Sequence, residues 1–409
     1  MILDVFSELQ KPLDQDESSF YADSIAQAKL ADAMGFGCWW SVEHHCTREF
    51  SYCSTPDLFL TVLSQQTERI RLGTAGTLAP FGIHHPLQIA ERAAFLDLMS
   101  KGRLELGLAR SVEREWETFG VDGEEARVQV EEALRLIPRY WTEKPFAYSG
   151  KHLSIPPREV VPRPLQKPHP PLWVTSARME GFERAGRCGV GVLATLLLAP
   201  PEMLAVAFEA YRKGLEQCVP AGRFVNDQRA LFTFFHCART RREAIESGAA
   251  EAALWFMNMQ PEVYSVRRSD WIEGIRAQSV TWIDGQSRVL APGEAQPAYD
   301  LDPNDPVPVI ALMNRQMAGE KLDPVEAFEA LEPYDAVIIG DVDSCLAKLR
   351  KLEQLGVDRL MGLIQMGSIP HEIVMRCIRD AGECLIPQLS GNAAASARRI
   401  GLTQAEGHS

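Results

Sequence analysis

Strand-like apolar runs alternate with amphipathic helical segments through most of this sequence, and that rhythm restricts the fold more than any single motif does. Parallel strands need a long crossover between them, and a helix is the usual one, so repeated strand-helix units point to a parallel sheet. Strands are expected at 2–6, 38–42, 71–78, 103–109, 172–176, 190–193, 231–237 and 359–365. Helices are expected at 20–34, 56–67, 86–99, 124–141, 180–187, 201–217, 241–257, 342–355 and 370–386. Ile25, Ala28, Leu30 and Ala31 recur at helical spacing before the Gly35 stop, while Pro56 and Pro86 open the next two helices. Pro138 is expected to kink the fourth helix, and Pro387 to stop the last. Eight strands in this order predict an α/β fold, a (β/α)8 TIM barrel with its active-site groups at the carboxyl ends of the strands. A doubly wound open sheet is the alternative, but no GxGxxG follows the first strand.

Two stretches interrupt the rhythm. The proline-rich connector 155–171 lacks many backbone donors and is expected to run extended over the surface. Residues 260–335 are rich in Pro, Asp, Gln and Gly, and read as an insertion after the seventh βα unit, a lid or a dimer element. The expectation is one barrel over 1–390 with a frayed tail at 391–409.

A 46% hydrophobic, 24% charged composition suffices for one large core. The net charge of -13 argues against a nucleic-acid or anionic-membrane surface and leaves a small molecule as the expected ligand. Nine cysteines lie scattered without metal-ligand spacing, which fits a reducing, cytoplasmic setting. The longest apolar run, 190–199, is too short to span a bilayer, and no basic leader precedes the first strand.

Glu43, His44 and His45 follow Trp39 and Trp40 where the second strand should meet solvent. A histidine there suits proton transfer near neutral pH, and a neighbouring carboxylate can fix its tautomer or raise its pKa. Strand alternation sends His44 and His45 to opposite sides, so one at most faces a reacting centre. A surface pair, or one histidine hydrogen-bonded in the core, is the plain alternative. His84 and His85 add imidazoles after the third strand, but without HxH or HExxH, and no metal site is expected. Arg110 ends the fourth strand, where a guanidinium can grip a phosphate or merely pair with Glu113. Ser176 and Arg178 end the fifth strand before a helix and could complete such a cradle. Thr74, Ala75, Gly76 and Thr77 form a run of small residues that lets a flat ring approach the backbone, or simply packs tightly. Trp39, Trp40, Trp173 and Phe232 read as core.

Glu43-His44-His45, Gly73-Thr74-Ala75-Gly76, the run from Asp97 through Arg103, and Gly107-Leu108-Ala109-Arg110 together resemble the bacterial luciferase-like flavin monooxygenases in order and spacing. Pro171-Leu172-Trp173-Val174 and the run from Gly367 through Glu372 extend the resemblance over the barrel, leaving out mainly 260–335. It implies a two-component monooxygenase, in which reduced FMN from a separate NAD(P)H:flavin reductase reacts with O2 at C4a and the peroxyflavin oxygenates a lipophilic carbonyl or polyketide-like molecule. By the match, His44 is the catalytic acid/base, with Glu43 and His45 beside it. Arg110, Ser176 and Arg178 hold the FMN phosphate, and Ala75, Gly76 and Thr77 lie against the isoalloxazine, where the family has a non-proline cis peptide. A homodimer is also implied. Two positions depart from luciferase itself: its reactive cysteine is Ala109 here, and its Glu-Ser pair reads Ala177-Arg178. Light emission is therefore not implied. A deazaflavin-dependent oxidoreductase of the same architecture and a non-catalytic flavin-binding subunit are the competing expectations.

Overall fold

The computed structural model describes residues 1–195, 197–276 and 302–389. In chain order the elements begin with β1 (Ile2–Ser7), α1 (Glu17–Met34), β2 (Cys38–Ser41), α2 (Pro56–Gln66), β3 (Arg71–Leu78), α3 (Pro86–Met99) and β4 (Leu104–Ala109). After them come α4 (Glu113–Phe119), α5 (Gly123–Thr142), β5 (Phe146–Ser149), β6 (Ser154–Arg158), β7 (Leu172–Ser176), α6 (Met179–Cys188), β8 (Gly191–Ala194), α7 (Pro201–Glu216) and β9 (Arg229–Ala238). The chain continues through α8 (Arg241–Glu246), α9 (Ala249–Val263), α10 (Arg268–Arg276), α11 (Pro308–Met317), α12 (Pro324–Leu331), β10 (Ile338–Asp341), α13 (Val342–Gln354), β11 (Arg359–Leu363) and α14 (His371–Asp380).

Strands β1, β2, β3, β4, β7, β8, β9 and β11 pair in parallel in that order, and the β11–β1 and β8–β9 pairings close the ring. This is the expected (β/α)8 barrel. Local sequence sets the joints. Asp16 caps α1 by accepting from the Ser19 amide, and Gly35, at φ 88°, ends it in the left-handed region that glycine enters without penalty. Asp122 caps α5, and Asp341 caps α13, in the same way.

The amino-terminal half of the barrel is plugged by paired polar groups among large rings. Arg359 makes two bonds to Asp4, at 2.7 and 2.9 Å, and the Trp40 indole donates to the same carboxylate at 2.9 Å. Glu105 accepts from Trp173 at 2.7 Å and from Arg71. Buried charges are tolerable only when paired like this. Trp40 and Trp173 meet edge to face at 5.3 Å. Gly73 and Gly191 make room for them, because a Cβ at either would sit 2.2 or 2.3 Å from an indole carbon. The reading of these tryptophans as core is therefore correct, and among the described residues the plug closes the amino-terminal half and leaves the carboxyl end of the barrel open for a ligand.

Several expectations needed correction. Part of the proline-rich connector pairs: β6 forms an antiparallel hairpin with β5 despite Pro156 and Pro157. Proline is tolerated there because an edge strand needs only some of its donors. The helix expected at 241–257 is two helices, α8 and α9, broken at Gly248 with φ 78°. Pro138 lies within an uninterrupted α5. In the stretch 260–335, residues 277–301 lie outside the described residues, while the remainder carries the end of α9 and then α10, α11 and α12. Strand β10, the ninth member of the main sheet, follows and pairs with the carboxyl half of β9. The tail 391–409 also lies outside the described residues. Among those described, no helix is long and apolar enough to cross a membrane.

Candidate active site

A cavity of about 620 Å3 opens at the carboxyl end of the barrel. Of the residues singled out in the sequence, Glu43, His44, Ala75, Gly76, Arg110, Ser176 and Arg178 line it. His45 and Thr77 do not: His45 packs edge-on against Phe119, and Thr77 borders a small void on the far side of the barrel wall, beside Ile89 and Ala93 of α3. Phe232, read as core, forms part of the cavity wall.

The carboxylate that serves His44 is not its sequence neighbour. His44 Nδ1 donates to Glu115 Oε1 at 3.0 Å, and the same oxygen accepts the His45 backbone amide at 2.9 Å. The other Glu115 oxygen accepts from the Ser111 hydroxyl at 2.6 Å. Ser111 sits at φ 74°, in the left-handed region, where the chain leaves β4 and turns into α4. On the other side, Glu8 Oε2 stands 3.7 Å from His44 Nε2. Burial disfavours a charge on His44, but Glu115 and Glu8 outweigh it and raise its pKa to about 9. The imidazole is therefore protonated at neutral pH, with Nε2 turned away from Glu115. Burial lifts Glu8 to about 7, against the pull of His44.

Glu43 has a different task. Although buried, it falls to about 2 because His45 and His84 donate to it at 3.1 and 2.6 Å and the Leu78 amide donates at 2.9 Å. It ties the ends of β2 and β3 together and fixes His45, and His84 is thereby explained without a metal.

On the β4–β7 side the cavity is cationic. Arg110 lies over the Trp116 ring at 5.0 Å, and Trp116 Nε1 donates to the Arg110 carbonyl at 2.7 Å. Burial lowers the Arg110 pKa, Glu113 opposes that, and the nearby Arg178 and Arg127 lower it further. Several guanidiniums drawn together in a partly buried wall favour an anion. Ser176 Oγ accepts the Arg178 amide at 3.3 Å and donates to its carbonyl at 3.1 Å, closing the turn into α6. Between the two sides runs β3. Its Ala75–Gly76 peptide bond is cis, and its register against β4 shifts between Thr74 and Thr77.

Sequence reasoning missed Glu8, Glu115 and Trp116. The last two come from α4, a seven-residue helix in a stretch where the sequence pattern predicts no element. Consecutive residues of this helix serve both ends of the site, Glu115 orienting His44 and Trp116 holding Arg110. The available signal was the charged and aromatic run Glu113-Arg114-Glu115-Trp116 directly behind Arg110.

A family model described as luciferase-like monooxygenase matches residues 1–359. The oxygenase component of a flavin-dependent trigonelline monooxygenase from Acinetobacter baylyi is 32% identical over 201 residues, 48% of this chain and 55% of that protein. The chain thus aligns with about half the length of such curated relatives. The oxygenating constituent of 3,6-diketocamphane monooxygenase from Pseudomonas putida, solved with FMN, superposes with a TM-score of 0.66 at 17% identity, over 95% of this chain and 98% of that one. The coenzyme F420 dependent tetrahydromethanopterin reductase of Methanopyrus kandleri superposes with a TM-score of 0.62 at 19% identity, over 95% and 99%. At these identities the two structures attest the fold.

Proposed function

The chain belongs to the luciferase-like monooxygenase family, and from that premise we propose that it is the oxygenase of a two-component system that uses FMN, supplied reduced by a separate NAD(P)H:flavin reductase, to oxygenate a lipophilic carbonyl or polyketide-like molecule. The observation that carries this reading is one cavity holding both a protonated imidazole, His44 against Glu115, and a cluster of guanidiniums around Arg110. The residues fit FMN. Arg110 and Arg178, with the Ser176 turn at the start of α6, supply positive charge and donors for its phosphate. Ala75 and Gly76 leave the wall between them low enough for a flat ring system. When bound, reduced FMN supplies the electrons and activates dioxygen.

The protein residues then bind, orient and manage a proton. Glu115 fixes the His44 ring through Nδ1, so that Nε2 presents a proton to the cavity. Phe232, Phe256 and Phe6 keep water from that side. The test is turnover with FMN, a flavin reductase, NADH and 18O2 over a panel of long-chain aldehydes, cyclic ketones and aromatic ketones. One labelled oxygen atom should enter the product; reduced FMN that is bound but reoxidised without any labelled product would end the reading. The superposition with an F420-dependent enzyme supports a second reading, deazaflavin hydride transfer. It predicts substrate reduction or oxidation with no oxygen consumed.

Replacing Arg110 with alanine should weaken FMN binding on the order of ten- to a hundredfold, the loss of a charge-assisted phosphate contact. Riboflavin, which has no phosphate, should bind both forms alike. Equal losses for the two flavins in a fluorescence titration would remove Arg110 from the phosphate site.

Leu58 and Val62 on α2 and Phe95 and Met99 on α3 are exposed on adjacent helices. They support the homodimer, and sedimentation equilibrium should give twice the chain mass.

A further inference from the structure

Glu8 helps keep His44 charged, but neither the barrel nor the flavin reading uses its unpaired oxygen. It follows Ser7 at the end of β1, is 5% exposed and lines the cavity. Its backbone is pinned, since the Ser51 hydroxyl donates to its carbonyl at 2.7 Å. Its Oε2 is buried without a hydrogen-bond partner. The groups facing it are His44, Glu115, Tyr264 and Cys53. The 3.7 Å between Oε2 and His44 Nε2 is too long for a hydrogen bond. Leaving a buried carboxylate oxygen unpaired costs stability, which makes it a candidate for pairing with a ligand.

Around this pair the wall is aromatic. Phe6 and Phe232 stand 4.5 Å apart, Phe232 and Phe256 6.0 Å apart, and all three line the cavity. Such a wall favours a flat aromatic ligand. Oε2 offers an acceptor, and the protonated Nε2 a donor, side by side. A hydroxyl is the small group that can satisfy both at once, giving its proton to one and taking a hydrogen bond from the other. Ethers and ketones can accept only, and an ammonium can donate only.

We propose that Glu8 and His44 together read an aromatic hydroxyl, so that the substrate is a phenol or a similarly hydroxylated polycyclic ring, with Glu8 the specificity-determining residue. This rests on the reading of the cavity as a flavin-and-substrate site. Glu8 positions the ring for oxygenation and itself transfers no oxygen.

The test uses 2-naphthol and 2-methoxynaphthalene, two probes of like shape of which only one can donate. Calorimetry at pH 8, with FMN saturating, should show 2-naphthol binding about tenfold tighter, as expected for a hydrogen bond to a charged group. In Glu8→Leu the ratio should fall to within about twofold, with FMN affinity unchanged. Glu8→Gln is isosteric and keeps the fold should the leucine variant fail. There the ratio should drop at least about threefold, because the charge on the acceptor is gone. Equal binding of the two probes to the unaltered protein, or an unchanged preference in a folded Glu8 variant, would overturn the proposal. The same pair is measured without FMN. A naphthol preference in a protein that takes up no FMN would sink the flavin reading and leave the Glu8 assignment standing.

Discussion

Replacing His44 with alanine is expected to lower turnover on the order of a hundred- to ten-thousandfold, the range for removing a positioned acid or base, while FMN affinity stays within about twofold of the unaltered protein. The ring presents Nε2 to the cavity and is held from behind by Glu115, so truncation removes the proton without touching the Arg110 end. Because its pKa is raised to about 9, His44 is a cation at neutral pH, which suits the proton-donor role proposed for it. The rate of the His44-dependent step should therefore hold from about pH 7 to 8 and fall as pH rises through about 9. Steady-state kcat and KM as functions of pH, measured beside an FMN titration, check both parts. An unchanged kcat in H44A, or a rate that climbs through pH 9, would rule out this role.

Much of this molecule could be read from periodicity because a parallel barrel writes itself locally. Each barrel strand is a short apolar run closed by a turn, and the helices carry their own start and stop signals, as Pro56 and Pro86 open α2 and α3 and Gly35 closes α1. The residues at the strand ends were legible for the same reason: His44, Arg110 and Ser176 end the runs that the barrel buries. What the sequence concealed depends on partners distant along the chain. Glu115 lies 71 residues from His44, on a helix too short to show a period. Glu43 is adjacent to His44 in sequence, yet it bonds His45, His84 and the Leu78 amide. Glu8 ends an apolar strand and looks like an ordinary solvent-facing turn residue until the barrel closes around it. The hairpin of β5 and β6 was hidden by Pro156 and Pro157, whose missing donors matter little on an edge strand.

The Glu115–His44 pair predicts the second large effect, and it can be measured without any substrate. In Glu115→Gln the His44 pKa should fall from about 9 by more than a unit, because the largest of the interactions holding it up disappears while burial continues to press it down. Glu8, at 3.7 Å rather than 3.0 Å, then supports the cation with a smaller share from Glu43. The His44 ring resonances followed by NMR against pH give the value directly. Stability carries the same signature. A histidine whose folded pKa lies above its ordinary 6.5 adds stability that is complete below about pH 6.5 and is lost as pH rises through about 9. Glu115 must also be ionised; its folded pKa is depressed, burial being outweighed by His44, so its share is retained down through its ordinary 4.5 and lost only at lower pH. The window of full effect is thus roughly pH 5 to 6.5, and the net rise in the His44 pKa, after burial has opposed it, corresponds to roughly 3 kcal/mol of pH-dependent stability there. Denaturant melts of the two proteins should differ most near pH 6 and converge above pH 9. A His44 titration that does not move in the glutamine variant would show that Glu115 does not hold the imidazole charged, and the proton-donor role would then have to rest on Glu8 and Glu43.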